Sequence, residues 1–332
     1  STIQNRCLKR WITSSVIWGQ LMNDAIIAKA LALWGLEGAE VSLIAARENA
    51  VYRVRFEGAR FALRLHRAGY RNEAELHSEL AWVDMLSKGG LPLPRPVAAK
   101  DGNFCHLVDG IVVDILTWLA GKPMGTNGDM SSAPNPSVVY HALGQSMARM
   151  HVLSDQWQMP AHFTRPSWDL DGLLGSHPVW GRFWENPTLS GPQMQQFTDI
   201  RTRAAATLEA HRGTLDYGLI HADLVPENVL IDGSKIHLID FDDGGFGFRL
   251  FDIATTLNRA RRTNAYETFR QSFLQSYLSV RPIDLELLPL FQTLRALTYV
   301  GWIVPRMEEP GASARNKRFI SEASYWAKQI SL

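Results

Sequence analysis

Apolar and polar residues alternate or recur along this chain with two periods, and the change from one to the other divides it. Val41-Ser-Leu-Ile, Val51-Tyr-Arg-Val-Arg-Phe and Arg60-Phe-Ala-Leu-Arg-Leu are alternating or rich in β-branched residues, with the turn signal Glu57-Gly58 between the last two. They predict an antiparallel sheet, preceded by a helix from Asp24 to about Leu33 that Gly35 ends. In the third strand Phe61, Leu63 and Leu65 share a face and Arg64 takes the other. Over residues 72–87 the period lengthens: Leu76, Leu80 and Val83 fall on one side of a helix that Gly89-Gly90 stops. Pro92, Pro94 and Pro96 then read as an extended connection. Strands at about 104–108 and 111–116 meet across Asp109-Gly110 as a hairpin.

Beyond this the signal becomes helical. Residues 121–137 are rich in Gly, Pro, Ser and Asn and read as a loop. A helix is expected at about 138–152, an irregular Trp-rich stretch at 160–192, a helix at 192–212, short strands around 217–239, and helices from Asp252 onward. The expected fold class is α+β, a small antiparallel sheet lobe followed by a larger, mainly helical lobe, divided as 22–116 and 117–332.

Composition narrows the function. With 332 residues the length allows about two domains, and 46% hydrophobic residues supply a sizeable core. A net charge of +1, from 34 basic and 33 acidic residues, argues against a dedicated nucleic-acid binder. No apolar run reaches the roughly 18 residues of a membrane span. Cys7 and Cys105 form no metal or disulfide pattern, which fits a reducing, cytoplasmic setting. Residues 1–21 hold Arg6, Lys9 and Arg10 without an acid and lack a small-residue cleavage site, so they read as an N-terminal extension, with Met22 a sensible first residue.

Chemistry concentrates between His221 and Asp252. His221-Ala222-Asp223 is followed by Asn228, then by two short strands, Val229–Ile231 and Ile236–Ile239, around Asp232-Gly233, and Asp240 ends the second. Phosphoryl transfer asks for this set: one carboxylate beside the attacking hydroxyl, and hard oxygen ligands that hold a divalent ion on the phosphates. The spacing matches that of a kinase catalytic loop. Each acid also has a plain reading as a solvated turn residue, and His221 as a hydrogen-bonded core histidine.

With Ile239-Asp240-Phe241 and Asp252-Ile-Ala254 added, the chain resembles the aminoglycoside phosphotransferase and choline kinase superfamily, departing from its pattern at Ala222, where glycine is usual. The resemblance implies a two-lobed protein-kinase-like fold and transfer of phosphate from ATP, with Mg²⁺, to a hydroxyl of a small molecule such as an amino alcohol, an aminoglycoside-like or a homoserine-like acceptor. It implies Asp223 as base, Asn228 and Asp240 as Mg²⁺ ligands, and Asp252 as a brace. In the first lobe it implies Arg64, where Lys is more usual, as the phosphate-contacting base and Glu79 as its partner. The plain readings are a surface arginine and a solvated helix acid. Asn49 would reach phosphate or serve a turn. Asp114 to Gly121 fits the hinge, with Thr117, Trp118 and Leu119 beside adenine. The segment Leu143-Gly144-x₃-Ala148-x-x-His151 resembles a family helix whose small residues pack beneath the catalytic loop, with His151 a core residue.

Asp242 is expected near the metal and Asp243 in solvent. Trp302 and Arg306 are candidates for acceptor contact, against a core and a surface reading. Two further functions stay open at this point: a protein Ser/Thr kinase of the stress-response-kinase-like branch, and a nucleotide-binding regulator without catalysis. Oligomeric state is not encoded legibly.

Overall fold

The computed structural model describes residues 24–46, 49–125 and 135–330. The expected N-terminal extension, with Met22, lies outside them. The chain divides into two compact units, one reaching Asp84 and resuming over Pro94–Leu119, the other made of Met85–Leu93 and the chain from Ala120.

In the first unit, helix α1 (residues 24–34) buries Ile26, Ile27, Ala30, Leu31 and Trp34, an i, i+3/i+4 stripe. Gly35 ends it at φ 71°. The sheet has the order β1 (Glu40–Ala46), β2 (Asn49–Phe56), β3 (Ala59–His66), β5 (Ile111–Thr117), β4 (Cys105–Val108), all antiparallel. Both predicted hairpins have positive φ at their two central residues, Glu57 47° and Gly58 81°, Asp109 50° and Gly110 83°. That is the turn whose twist matches paired strands. One face of the sheet packs Tyr52, Val54, Leu63, Leu65, Val113 and Ile115 with α1. Helix α2 (Glu73–Lys88) starts in this unit on a reciprocal cap. Asn72 Oδ1 accepts from Glu75 N at 2.9 Å, and Glu75 Oε2 from Asn72 N at 3.0 Å.

In the second unit, Leu238 N donates to Pro92 O at 3.0 Å, which ties the segment after α2 to the hairpin over residues 229–238. Two small sheets carry the site. One has the order β10 (Lys235–Leu238), β9 (Val229–Asp232), β6 (Lys122–Pro123). The other has the order β7 (Ser167–Trp168), β11 (Gly245–Phe248), β8 (Tyr217–Ile220), with β7 parallel to β11.

Strand β11 is a departure from the sequence reading. Gly245-Phe-Gly-Phe carries little strand signal, yet a Cβ on Gly247 would lie 2.4 Å from Ile220 Cδ1 and 2.9 Å from Trp168 Cβ. Only glycine lets this strand slip between its neighbours. The helix expected after Asp252 begins earlier, as α6 (Arg249–Asn258).

Around the sheets stand α3 (Pro136–Gln156), α4 (Leu170–Leu174), α5 (Gly191–Ala210), α7 (Tyr266–Leu278), α8 (Leu288–Trp302) and α9 (Ala312–Gln329). Helix α6 is buried at every position and α8 at all but Pro289 and Trp302, so both form the centre of this unit. Gly144 on α3 has a different neighbour from the one expected. A Cβ there would lie 2.2 Å from Phe273 O on α7, so the small residue serves a helix pair rather than the catalytic loop.

Candidate active site

Strand β8 delivers the chain to His221, and the backbone then turns sharply. Ala222 has φ 64°, a left-handed conformation that disfavours a side chain. Its holder is Asp252, fully buried on α6. Asp252 Oδ2 accepts from His221 N at 3.0 Å and Oδ1 from Ala222 N at 2.9 Å. Oδ2 also takes His151 Nε2 at 3.0 Å, while His151 Nδ1 lies 2.8 Å from the Tyr277 hydroxyl. This pairing assigns the proton to Nε2 and makes Tyr277 the donor to Nδ1. Burial, reinforced by the Arg249 charge, pushes His151 down to about 4, so the ring is neutral at pH 7. Burial acts to raise the Asp252 carboxyl. The hydrogen bonds from His151 and from the His221 backbone counter it, and the group stays below the usual carboxylate range. Asp252 is therefore the brace, and His151 the core residue behind it.

His221 is a core histidine as well. Its Nε2 donates to Ile239 O at 3.1 Å, and Asp223 N points to Nδ1 at 3.4 Å. The ring thus fastens the catalytic loop to the end of β10, one residue before Asp240. Ile239 N donates to Asn228 O at 3.0 Å, which brings the backbones bearing Asn228 and Asp240 side by side. Asp240 itself has φ 67°. Asn228 Nδ2 donates to Asp223 O at 2.9 Å and to Asp223 Oδ2 at 3.1 Å. With the amide nitrogen committed to Asp223, Oδ1 is the atom of Asn228 left to act as a ligand.

Asp223 keeps 24% of its side chain open to solvent. Loss of hydration around the carboxyl pushes it up to about 7; Arg295 pulls the other way and Asp243 adds to the rise. Arg295, on α8, donates from one terminal nitrogen to Asp223 Oδ1 at 2.7 Å and to the Tyr299 hydroxyl at 2.9 Å. The sequence reading missed Arg295. It lies 72 positions beyond Asp223 in a helix of apolar residues, and no local pattern links the two.

The turn after Asp240 is held from outside. Arg165 donates to Phe241 O at 2.9 Å, Asp242 O at 2.7 Å and Gly244 O at 2.6 Å. Trp168 Nε1 donates to Asp243 O at 2.9 Å, and Trp180 Nε1 to Asp243 Oδ1 at 3.4 Å. Asp243, expected in solvent, is half-buried, and its charge acts on Asp223. Trp180 also packs against Tyr299, at 5.7 Å between rings, and against Trp302 at 6.1 Å. Arg306 covers the Trp302 ring at 4.2 Å and donates to Trp302 O at 2.9 Å, which gives it a packing role in this structure.

In the first unit, register places Arg64 opposite Asp114. Arg64 Nε and one terminal nitrogen bond the two Asp114 oxygens at 2.9 Å each, and the other terminal nitrogen bonds Glu79 at 2.9 Å. His66 Nε2 is 2.5 Å from Asp114 Oδ2. Arg64 is buried, not a surface arginine, and the expected pairing with Glu79 is present. Asp114, placed in the hinge by sequence, lies mid-strand. Burial acts to raise its carboxyl, but Arg64 and then His66 hold it down to about 2. Asn49 Oδ1 accepts from Arg67 N at 3.3 Å, joining the start of β2 to the residue after β3. Thr117 N donates to Arg95 O at 2.8 Å and Trp118 N to Arg60 O at 3.2 Å; Leu119 is the last residue of this unit.

Among the described residues no group of three or more His, Cys, Asp or Glu forms a metal cage, and no helix is long and apolar enough to cross a membrane.

A model of the phosphotransferase enzyme family matches residues 40–290. The homoserine kinase of Acidiphilium cryptum (strain JF-5) is 30% identical over 243 residues, covering 71% of this chain and 70% of that protein. The amicoumacin kinase of Bacillus subtilis (strain 168) is 24% identical over 293 residues, 84% of each chain. Among solved structures, the microcompartment-associated aminopropanol kinase superposes with a TM-score of 0.80 at 28% identity, covering 92% of this chain and 96% of that one. The architecture is therefore that of a protein-kinase-like phosphotransferase. With the family match spanning both units and the Asp223–Asn228–Asp240 constellation inside it, the chain belongs to the phosphotransferase enzyme family and is a kinase.

Proposed function

We propose that this kinase moves the γ-phosphoryl group of ATP to a hydroxyl of a small molecule that carries an amino group, an amino alcohol or a homoserine-like or aminoglycoside-like acceptor. The observation that carries the reading is the clamp on Asp223: Oδ1 is held by Arg295 and Oδ2 by Asn228, at 2.7 and 3.1 Å. A carboxylate restrained on both oxygens at the lip of a loop is built to take a proton from a hydroxyl placed beside it.

Asn228 Oδ1 and the Asp240 carboxylate suit Mg²⁺, which prefers oxygen and is usually held by one or two protein groups with substrate phosphates completing its shell. When bound, the ion neutralises charge on the phosphates. The residues of the chain do the rest. Asp223 orients the acceptor oxygen and receives its proton, and Asp252 fixes the loop that carries Asp223. On the nucleotide side we place Arg64 with Glu79, Asn49, and the backbone of Thr117, Trp118 and Leu119. The N–H groups of Thr117 and Trp118 already serve Arg95 and Arg60, so carbonyl groups and the Leu119 N–H are the parts of this segment suited to adenine.

For the acceptor, the half-buried Asp243 carboxylate places a negative charge that acts on Asp223, which suits an ammonium group. The names of the homoserine and aminopropanol kinases agree with an acceptor that bears both an amine and a hydroxyl. We further propose a cytoplasmic setting, where ATP is supplied.

The test is an ADP-release assay with Mg-ATP over a panel of amino alcohols, hydroxy amino acids and aminoglycosides, run with wild type and Asp223→Asn. Wild type should turn over at least one compound and Asp223→Asn none. Phosphate appearing only on added proteins, or on nothing, would overturn the proposal.

A further inference from the structure

We propose that Arg295 is a positioning residue for phosphoryl transfer: boxed by aromatic rings beneath the catalytic loop, it fixes the direction in which Asp223 faces the acceptor hydroxyl. The inference rests on the reading of Asp223 as the base. Arg295 is fully buried, so the acceptor does not touch it, and whatever it contributes passes through Asp223. Its guanidinium carbon lies 4.3 Å from the centre of the Trp180 ring, 4.5 Å from Tyr299 and 5.6 Å from Phe251. Its Nε and one terminal nitrogen are buried without a hydrogen-bond partner among the described residues. The other terminal nitrogen makes both of its side-chain bonds, to Asp223 Oδ1 and to the Tyr299 hydroxyl.

A buried cation with two unused donors is an expensive way to fill a core, and an apolar side chain of similar volume would serve stability as well or better. The placement makes sense through its single outlet. The rings set the plane of the guanidinium, the Tyr299 hydroxyl fixes the outlet nitrogen, and that nitrogen fixes Oδ1. Asn228 holds Oδ2 from the other side, so rotation of the Asp223 carboxylate would break one of the two bonds. In the transfer step the acceptor O–H bond breaks and the proton goes to Asp223. The acceptor oxygen bonds the γ-phosphorus, and the bond from that phosphorus to the leaving oxygen of ADP breaks. A fixed carboxylate keeps the proton's destination in line with that attack, and small misplacements of a reacting group lower rates by factors of about 100.

The experiment is steady-state kinetics with Mg-ATP and an accepted substrate on Arg295→Met, Arg295→Lys and Asp223→Asn, and on the Arg295→Met/Asp223→Asn double variant. Arg295→Met should lower kcat about 100-fold while KM for ATP and for the acceptor changes by less than about threefold. Arg295→Lys, which keeps a charged donor without the planar fork, should recover about tenfold of that loss. In the Asp223→Asn background the Met substitution should lower the residual rate no further. A drop of equal size in both backgrounds, KM rising in step with the fall in kcat, or no recovery with Lys would overturn the proposal. Should Arg295→Met fail to fold, Tyr299→Phe removes only the hydroxyl that fixes the outlet nitrogen. A lower kcat at unchanged KM supports the proposal there, and an unchanged kcat overturns it. A wild type that is inactive on every acceptor defeats the underlying kinase reading instead.

Discussion

Asp252 accepts three hydrogen bonds in a place that water does not reach, two from the backbone of a turn and one from His151. Removing the carboxylate strands all three donors and releases the left-handed Ala222. Asp252→Ala should therefore destabilise the protein by about 3–5 kcal/mol, read as a shift of the urea midpoint. Asp240 makes a different prediction, because the role proposed for it is to bind rather than to brace. Asp240→Asn keeps the size of the side chain and removes its charge. It should raise the Mg²⁺ concentration needed for half-maximal rate by about tenfold or more and leave the melting temperature within a few degrees. A magnesium titration at fixed ATP checks this, and an unchanged requirement would remove Asp240 from the metal site. His221 shows why the residue scale needs a structure. Its neighbours Ile239 and Asp252 are 18 and 31 positions away, and only the folded chain reveals that it ties the loop to the strand that leads to Asp240.

At the level of elements, periodicity located most helices and strands of the first unit, and the Gly-containing hairpins fell where they were expected. Failures came where an element is short or its contacts are remote. Strand β11 has four residues and two glycines, and its reason for being extended is the narrow gap between β7 and β8. Helix α8 lies in the stretch that reads as helical, but nothing local marked Arg295, which looks out of place in a buried helix until Asp223 is set beside it. Gly144 gives a measurable consequence of helix packing. A methyl group there would sit 2.2 Å from Phe273 O and 2.3 Å from Ser276 Oγ, so α3 and α7 must separate to admit it. Gly144→Ala should lower stability by about 1–3 kcal/mol despite alanine's better helix propensity. Calorimetry decides it: a higher melting temperature would mean that the helices separate freely.

For the whole molecule, buried ionisable groups set the response to acid. His151 has an ordinary value of 6.5 and a folded value of about 4. Between these the unfolded chain binds a proton that the folded chain refuses, so stability falls as pH drops from about 6.5 to 4. The full effect is on the order of 3 kcal/mol. His221, also lowered by burial, acts in the same direction. Asp252, held below its ordinary 3.8, adds a further loss under that value. Asp223 opposes them. Its folded carboxyl is raised from 3.8 to about 7, so it stabilises the folded state below about 4 and the gain is lost as pH rises through 7. The clean measurement is therefore in Asp223→Asn, where the melting temperature should fall steadily from pH 7 to pH 4. A flat profile in that variant would show that His151 titrates normally.

The sequence by itself determined the order of most elements and the α+β class, and it singled out Asp223, Asn228, Asp240 and Asp252 as the residues to which base, ligand and brace roles are proposed. These depend on short-range periodicity and on a spacing packed into 32 residues between His221 and Asp252. Tertiary structure decided everything that depends on approach from a distance. It paired Asp114 with Arg64 across two strands, so that an arginine expected from sequence to meet Glu79 alone is buried against two acids. It brought Arg165 under the turn after Asp240 and Arg295 under Asp223. The physical reason is the same in each case. A buried charge must find its partner through space, and the chain separation between the two leaves no trace in any local pattern.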